Sequence, residues 1–284
     1  MNVETLVVVG AGTMGRGIIE TAAVHGLTVK AVEPSDRQRE SALGAIEQSL
    51  AKAIKRGKLE IKSPNEALSR VTWHADLADV AAVADFVIEA VSESPSLKEQ
   101  IFRQLDVQTR PHVVLASNTS SISITRIAAF TGRPESVVGM HFFNPVPIMQ
   151  PVEIVRGVKT SQSTIDQTRQ LAERLGKQAF VVADSPGFVV NRVWLPMINE
   201  AAFALQEGVA DAATIDSLMK LGCNHPMGPL ELADLVGLDV CLAIAQVLHR
   251  ELGDPKFRPC PLLVRKVDAG QLGCKTGEGF YKYT

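Results

Sequence analysis

Two side chains in the middle of the chain have the types and spacing of an acid–base pair. His141 directly follows an apolar run, Ser136–Met140, and Glu153 lies twelve residues later inside a second run, Pro151–Val155. An imidazole titrates near neutral pH, so a histidine at a strand end is suited to accept the proton of an alcohol. A carboxylate facing it would hold its tautomer and stabilise the imidazolium that forms. Glu153 has an alternative interpretation as an exposed strand acid, which its spacing does not exclude.

A glycine-rich segment near the beginning of the chain predicts a dinucleotide site. Gly10-Ala11-Gly12-Thr13-Met14-Gly15 separates an apolar run, Glu4–Val9, from an amphipathic stretch, Met14–His25. A second apolar run, Thr28–Glu33, then ends in an acid. The order of strand, glycine turn, helix, strand and acid is typical of proteins that bind NAD. The alternative is a glycine turn in another kind of α/β protein.

The positions in this segment have separate physical roles. Gly10 permits a tight turn, Gly12 lets a pyrophosphate approach the backbone, and Gly15 lets the helix pack closely on the strand. The helix N-terminus offers unpaired N–H groups to the phosphates. Glu33 can accept hydrogen bonds from ribose hydroxyls and would repel a 2′-phosphate, which favours NAD over NADP. We expect all six residues of the segment to contact the cofactor.

The composition indicates a globular protein. The 284 residues are 46% hydrophobic and 21% charged, with a formal net charge of −2, so we expect neither nucleic acid nor an anionic membrane as a partner. No apolar run is as long as a membrane span, and no signal or transit peptide is visible. We therefore expect a cytoplasmic protein. The cysteines lack a CxxC spacing, which predicts reduced packing residues and no metal site. They are Cys223, Cys241, Cys260 and Cys274.

The elements that must position these residues alternate between strand and helix. Apolar runs and helical stretches follow one another up to Ser185-Pro186-Gly187, which is a strong breaker. Beyond it the pattern is helical, with Asp211 as a predicted helix cap. The sequence therefore predicts an α/β protein: a Rossmann-type, doubly wound parallel sheet over residues 1–185, then an all-helical domain over 186–284. The predicted helices of that domain are Asn191–Glu207, Ala212–Leu221, Leu230–Leu235 and Val240–Leu252.

Polar residues follow three apolar runs of the predicted sheet. Glu93 comes after Asp85–Ala90, and Ser120 comes after His112–Ser117. His141 comes after a third run, as described above. The carboxyl ends of parallel strands open onto one crevice, so we expect these side chains, together with Ala90 at the end of its strand, to lie beside the glycine turn.

Several longer segments resemble one enzyme family. They are SNTSS (Ser117–Ser121), GMHFFNPVPIMQPVEIV (Gly139–Val155), SPGFVVNR (Ser185–Arg192), LGCNHPMGPLELAD (Leu221–Asp234) and KTGEGFY (Lys275–Tyr281). In this order they resemble the L-3-hydroxyacyl-CoA dehydrogenases, above all the bacterial 3-hydroxybutyryl-CoA dehydrogenases. The resemblance covers essentially the whole chain. It implies an NAD-binding Rossmann domain, a helical dimerisation domain and a homodimer that oxidises an acyl-CoA substrate.

The resemblance also implies roles for individual residues. The family's catalytic histidine and glutamate fall on His141 and Glu153. Its serine and asparagine, which are implied to be catalytic and to contact substrate, fall on Ser120 and Asn191. Pro151 stands where the family commonly has leucine, at a strand start that tolerates proline. The residues implied on the cofactor side are Glu33, Glu93, Lys98, Ser120, Asn144 and Lys275. Those implied to contact coenzyme A are Ser49 and Arg56, the latter often a lysine in the family.

Alternatives remain open from the residues alone. The basic cluster Lys52–Lys58 is either a solvated helix face or a landing site for the phosphates of coenzyme A. A related NAD-dependent hydroxy-acid or sugar-acid dehydrogenase would share the same fold. A non-catalytic NAD-binding protein would share it too, but such a protein has no need of a combined set of serine, histidine, glutamate and asparagine.

Overall fold

The first of two units, which ends at Ser185, is organised around one sheet. The computed structural model describes residues 3–283, and the chain divides after Ser185 into two units. In the described part of the first unit, apolar runs form eight strands. They are β1 (Thr5–Val9), β2 (Thr28–Val32), β3 (Val71–His74), β4 (Phe86–Glu89), β5 (Val114–Ser117), β6 (Val137–Phe142), β7 (Pro151–Arg156) and β8 (Gln178–Ala183).

The strand order shows where ligands can bind. The order is β3-β2-β1-β4-β5-β6-β7-β8, so the chain reverses its direction across the sheet between β1 and β4. All neighbours from β3 to β6 are parallel. Strands β4, β5 and β6 are buried at every position, as expected for a sheet covered on both faces. The switch between β1 and β4 is the usual place for a dinucleotide in such a sheet.

Strand β7 differs from the others in direction. It pairs antiparallel with β6 and parallel with β8. The connection between β6 and β7 consists of residues 143–150, which is too short for a crossover to a parallel neighbour. The expectation of a parallel sheet is therefore wrong for these last two strands. His141 also lies inside β6 and not beyond its end, because the strand continues to Phe142.

Helices cover both the sheet and its loops in the first unit. They are α1 (Thr13–Val24), α2 (Asp36–Lys55), α3 (Pro64–Leu68), α4 (Pro95–Gln108), α5 (Ile124–Ala128) and α6 (Gln162–Arg174). Ser35, Ser94, Ser123 and Ser161 cap four of them, each accepting a backbone N–H of the first turn. Apolar residues of α1, α2 and α6 join those of the strands in one core.

The second unit is helical, as predicted. Its helices are α7 (Val190–Gln206), α8 (Ala212–Gly222), α9 (Pro229–Val236), α10 (Leu238–Leu252) and α11 (Pro261–Asp268). Asp211 caps α8 as expected, since its side chain accepts the backbone N–H of Thr214. A separate core includes Leu195, Ile198 and Leu248. Helix α11 is absent from the predicted elements, because its short apolar pattern lies between two proline- and glycine-containing stretches.

Buried carboxylates hold the end of the chain against this unit. Asp234 is fully buried and accepts the backbone N–H groups of Phe280 and Tyr281, both at 2.8 Å. Asp216 accepts the hydroxyl of Tyr281 and two N–H groups at the beginning of α9. Burial and Asp216 together raise the pKa of Tyr281 well above its usual range. The C-terminal segment is thus part of the folded unit.

The cysteines are only partly as expected. All four are free thiols, and Cys241 and Cys260 are buried, so these two are packing residues. Cys223 and Cys274 are exposed, and the packing interpretation is wrong for both. Burial raises the pKa of Cys241 to about 12, which keeps it a thiol.

Within residues 3–283, no single helix is long and apolar enough to cross a membrane. Helices α9 and α10 together have sufficient length and apolar composition, but they are bent by 101° relative to each other.

Candidate active site

The acid–base pair predicted from the sequence is formed by neighbouring strands. His141 on β6 and Glu153 on β7 are direct partners in the antiparallel register. Nδ1 of His141 lies 2.8 Å from Oε2 of Glu153, and both residues are buried. A carboxylate can only accept, so Nδ1 carries the hydrogen and Nε2 keeps the lone pair. The imidazole is therefore oriented as a base with its accepting nitrogen away from the glutamate.

The backbone around the pair explains its geometry. Pro151 is the first residue of β7, where the missing N–H costs no ladder bond, and Glu153 still faces His141. The strands approach closely at Gly139, where a Cβ would lie 2.6 Å from Cβ of Val155. The ring of Phe143 packs tilted against the imidazole, with centroids 4.8 Å apart. Packing on both sides of the pair limits its freedom.

One carboxylate organises the loop that follows β5. Oε1 of Glu93 accepts hydrogen bonds from the hydroxyls of Thr119, Ser120 and Ser121 and from two of their backbone N–H groups, at 2.7–3.2 Å. Burial raises the pKa of Glu93, but the charge of Lys98 and these hydrogen bonds outweigh it and hold the pKa below its usual range. Glu93 is therefore a carboxylate at neutral pH, and it fixes the position of Ser120.

Glu93 contacts a buried ion pair formed by Lys98 and Glu89. The ammonium of Lys98 lies 2.6 and 2.8 Å from the two carboxylate oxygens of Glu89, and both side chains are fully buried. The Ser117 hydroxyl and the Val91 backbone N–H donate to the same carboxylate. Lys98 is also 3.4 Å from Oε2 of Glu93. Lys98 thus acts on the loop through Glu93, and its fully buried side chain makes it a positioning residue.

The glycine turn has the geometry expected of a phosphate site. Gly10 has φ of +99°, and a Cβ there would lie 2.8 Å from the carbonyl oxygen of Ala90. A Cβ on Gly15 would lie 2.0 Å from the carbonyl oxygen of Gly10, so only glycine allows this helix–turn contact. At Gly12 the corresponding space is open. No side chain caps the N-terminus of α1, so its first N–H groups are available to a ligand.

A cavity of about 570 Å³ adjoins this turn, which is enough for the adenosine half of a dinucleotide. Its lining includes the turn, Ala90 and the carboxylate of Glu33. Oε2 of Glu33 accepts the backbone N–H of Ala11 at 3.2 Å, so the acid is held at the edge of the turn. The open space at Gly12, the uncapped helix and this acid fit NAD. Glu33 would hold a ribose, and the residues of the turn would contact the pyrophosphate.

The predicted contacts with coenzyme A lie along α2. The hydroxyl of Ser49 donates to Oε1 of Glu20 on α1 at 2.8 Å. Arg56 follows the last residue of α2 and is exposed, as are Lys52, Lys55 and Lys58. The cluster is therefore accessible to an anion, although exposure is equally compatible with a solvated helix end.

Three predicted residues have other surroundings. Asn144 is exposed in the connection between β6 and β7. Asn191 and Lys275 belong to the second unit: Oδ1 of Asn191 accepts the indole N–H of Trp194 at 3.0 Å, and Lys275 lies 2.5 Å from Asp239. Of the remaining predicted residues, one group lies around the glycine turn and one around Glu93. His141 and Glu153 form a pair on β6 and β7, and Ser49 and Arg56 lie along α2.

Two residues not identified from the sequence, Glu89 and Asn118, hold these groups in position. Glu89 is the only acid within β4, and an acid inside a buried run is the signal that could have shown it. No role was predicted for Asn118, but its Oδ1 accepts the Phe142 N–H at 2.9 Å and connects the loop after β5 to β6. Within residues 3–283, no group of three or more His, Cys, Asp or Glu side chains could hold a metal ion.

Family models match both units. The model for the NAD-binding domain of 3-hydroxyacyl-CoA dehydrogenase matches residues 5–185, and the model for the C-terminal domain matches residues 187–283. Together they cover nearly the whole chain.

Individual relatives agree with these matches. A probable 3-hydroxybutyryl-CoA dehydrogenase of Bacillus subtilis is 50% identical over 100% of this chain and 98% of its own length. The human mitochondrial hydroxyacyl-coenzyme A dehydrogenase is 40% identical over 99% of this chain and 91% of its own. A crystal structure of (S)-3-hydroxybutyryl-CoA dehydrogenase from Ralstonia eutropha is 48% identical, covers 100% of both chains and has a TM-score of 0.95.

Proposed function

Since the chain belongs to the 3-hydroxyacyl-CoA dehydrogenase family, we propose that it oxidises short-chain L-3-hydroxyacyl-CoA, such as 3-hydroxybutyryl-CoA, to the 3-ketoacyl-CoA, and catalyses the reverse reduction. It is an NAD-dependent oxidoreductase. The observation that carries the proposed chemistry is the 2.8 Å contact between Nδ1 of His141 and Glu153. It orients the imidazole so that Nε2 can act as the base.

His141 is the proton carrier in this mechanism. Its Nε2 accepts the proton of the substrate 3-hydroxyl as the carbonyl forms at C3. Bound NAD supplies the acceptor for the hydride that leaves the same carbon. The carboxylate of Glu153 stabilises the imidazolium through the Nδ1 hydrogen bond. In the reductive direction, the imidazolium returns the proton to the forming alkoxide.

Ser120 and Asn191 are proposed to orient the reacting groups. The hydroxyl of Ser120 is held by Glu93, so its position is defined before substrate binds. We assign Ser120 and Asn191 to the substrate oxygen and the imidazole, on the strength of the family motifs that contain them. Ser49 and Arg56 on α2 are assigned to the coenzyme A portion, and Asn144 and Lys275 to the cofactor.

The test of the acid–base pair is substitution of each partner by glutamine. We expect His141→Gln and Glu153→Gln to lower turnover of acetoacetyl-CoA by about 10²–10⁴-fold, because a positioned general base contributes that much. NADH affinity, measured by fluorescence titration, should stay unchanged. His112→Gln is the matched control, since His112 is exposed, precedes β5 and belongs to neither β6 nor β7. Near-normal turnover in the His141 variant would rule out this assignment.

The choice of substrate class has its own test. Rates of NADH oxidation are compared with acetoacetyl-CoA, free acetoacetate and a keto-acid derived from a sugar, each against a reaction without substrate. We expect turnover with the thioester and very little with the free acids. Faster turnover of a free acid would favour the hydroxy-acid alternative, and no turnover of any of them would favour a binding protein.

We also propose that the enzyme is a homodimer formed by its second unit. Large apolar side chains are exposed on α7, α8 and α9: Val193 at 68%, Leu218 at 63%, Leu221 at 87% and Leu235 at 59%. A surface with this many exposed apolar residues suits a second copy of the same chain related by a two-fold axis. A cytoplasmic location is proposed as well, supported by four unbridged cysteines.

A further inference from the structure

A small cavity in the first unit has a buried acid in its wall. Its volume is about 170 Å³, and it shares no lining residue with the cavity at the glycine turn. The walls come from α1, from α2 and from the connection between β6 and β7. Gly17 allows α1 to approach that connection, because a Cβ there would lie 2.9 Å from Cβ of Val146. The cavity therefore lies between the helix of the glycine turn and the chain that leaves His141.

The acid in the wall is Glu20. It is only 5% exposed, and Ile18 and Ile19 beside it on α1 are fully buried. Its Oε1 accepts the Ser49 hydroxyl, whereas its Oε2 has no hydrogen-bond partner among the described residues. Burial raises the pKa of Glu20, against the opposing effects of Ser49 and Arg16. Oε1 of Gln108 is the one fully buried side-chain nitrogen or oxygen without a partner among the described residues, so Oε2 of Glu20 is accessible from the cavity and can accept a hydrogen bond from a donor outside the protein.

The lining selects the kind of donor. Ile46, Val146 and Ile148 are apolar, and together with Glu20 they suit a chain of methylene groups that carries an N–H. The charged side chains of the lining are Arg16 and Glu20, whose opposite charges leave no excess of positive charge for a phosphate. The anionic end of coenzyme A therefore fits the exposed cluster Lys52–Lys58 instead. The part of coenzyme A with methylene groups and secondary amides is the pantetheine arm.

We infer that Glu20 is a specificity residue for the pantetheine arm: its Oε2 accepts the N–H of a pantetheine amide in this cavity, and Ser49 holds the carboxyl group in place. The inference rests on the proposed function, since it assumes a CoA thioester as substrate. It adds a residue of α1 to the two contacts assigned on α2. It also explains why Ser49 donates inward to Glu20.

The experiment compares thioesters that differ in their amides. Acetoacetyl-CoA, acetoacetyl-pantetheine, the N-acetylcysteamine thioester and S-ethyl acetothioacetate carry two, two, one and no amides. KM and kcat are measured for each with Glu20→Ala, Glu20→Gln, Ser49→Ala and the control Glu47→Ala, whose side chain is exposed on α2. We expect Glu20→Ala to raise KM about tenfold for the amide-bearing thioesters, the loss typical of a hydrogen bond to a charged group. KM for the ethyl thioester and kcat for all four should stay within twofold.

The other variants separate a binding role from a structural one. Glu20→Gln keeps an oxygen acceptor, so we expect it to restore KM to within threefold of the wild type. Ser49→Ala should raise KM for the same amide-bearing substrates. If Glu20→Ala does not fold, Glu20→Gln and Ser49→Ala still decide: equal effects on all four thioesters, or none, overturn the inference. A wild type that turns over no thioester contradicts the proposed function instead.

Discussion

Single side chains in this molecule act mainly through the groups that hold them. Ser120 is defined by Glu93, Glu93 lies against Lys98, and the charge of Lys98 is matched by Glu89. Only the outer members of this chain of contacts can reach a ligand, because Lys98 and Glu89 are fully buried. A buried ion pair breaks at a high cost when one partner is removed. The position of the loop that carries Ser120 therefore depends on the ion pair between Lys98 and Glu89.

The charge of Glu93 gives a pH-dependent prediction. Its pKa is lower in the folded protein than the usual 4.5, so the carboxylate stabilises the fold above pH 4.5 and this stabilisation is lost as the pH falls through the folded value. We expect Glu93→Gln to lower the free energy of unfolding by about 1 kcal/mol at pH 7, a value reduced for its partial exposure. Urea unfolding at pH 7, 5 and 3 measures the difference. The gap should narrow as the pH falls from 5 to 3, and a constant gap would contradict the role of the charge.

The sequence is sufficient to predict the types of the reacting residues but not their support. The residue types and spacing of His141 and Glu153 predict an acid–base pair, and the glycine turn predicts a dinucleotide site. The burial of Lys98 could not be predicted, because lysines are almost always exposed and the sequence does not show that the acid in β4, nine residues earlier, is its partner. The burial of Glu20 was not predicted either, since its partner Ser49 on α2 is 29 residues away along the chain.

Whole elements position the site through their ends. Helix α1 begins at the turn, and its N–H groups have no side-chain cap. The helix can sit this close only because Gly15 has no Cβ. The packing of one helix on one turn thus creates the phosphate-binding backbone, and no charged side chain takes part.

Alanine substitution of two helical glycines tests this packing. Gly15→Ala places a Cβ 2.0 Å from the carbonyl oxygen of Gly10, so the turn must shift. We expect at least a tenfold weaker affinity for NADH, and a loss of stability of about 1–3 kcal/mol, as is usual for overpacking. Gly44→Ala on α2 is the control, because a Cβ there meets nothing within 4 Å. It should raise stability by about 0.5–1 kcal/mol and leave NADH affinity unchanged. Equal NADH affinity in both variants would contradict this role for Gly15.

Elements with strong periodicity were predictable, and connections were not. The strands and long helices of both units lie within a few residues of their predicted bounds. Strand β3 was missed, because only half of its residues are apolar and none is fully buried. The direction of β7 depends on the length of the connection before it, which separates a hairpin from a crossover. Periodicity carries no information on that choice.

At the scale of the whole molecule, each unit has its own core and its own surface. The strand-and-helix core of the first unit and the helical core of the second are separate sets of residues. The second unit exposes several large apolar side chains, among them Leu218 and Leu221. A second copy of the chain that packs on them would remove them from water. The net charge of −2 gives too little repulsion to oppose such an association.

A charged substitution in this surface tests the homodimer. We expect Leu218→Glu/Leu221→Glu, both on α8, to convert a dimer to a monomer, because a buried unpaired carboxylate is costly at an interface. Light scattering coupled to size exclusion measures the mass. Val107→Glu is the control: this valine on α4 is 85% exposed and belongs to the first unit. A double variant that stays dimeric would place the interface elsewhere, and a monomeric wild type would contradict the homodimer.

The hairpin formed by β6 and β7 has a consequence for inheritance and design. Because the strands are joined directly, the imidazole and its carboxylate are specified by one uninterrupted stretch of thirteen codons, from His141 to Glu153, and no distant segment of the chain must supply the second member. Recombination that keeps this stretch intact keeps the pair intact. Transfer of β6, β7 and their connection to a related sheet would therefore move both members of the acid–base pair together.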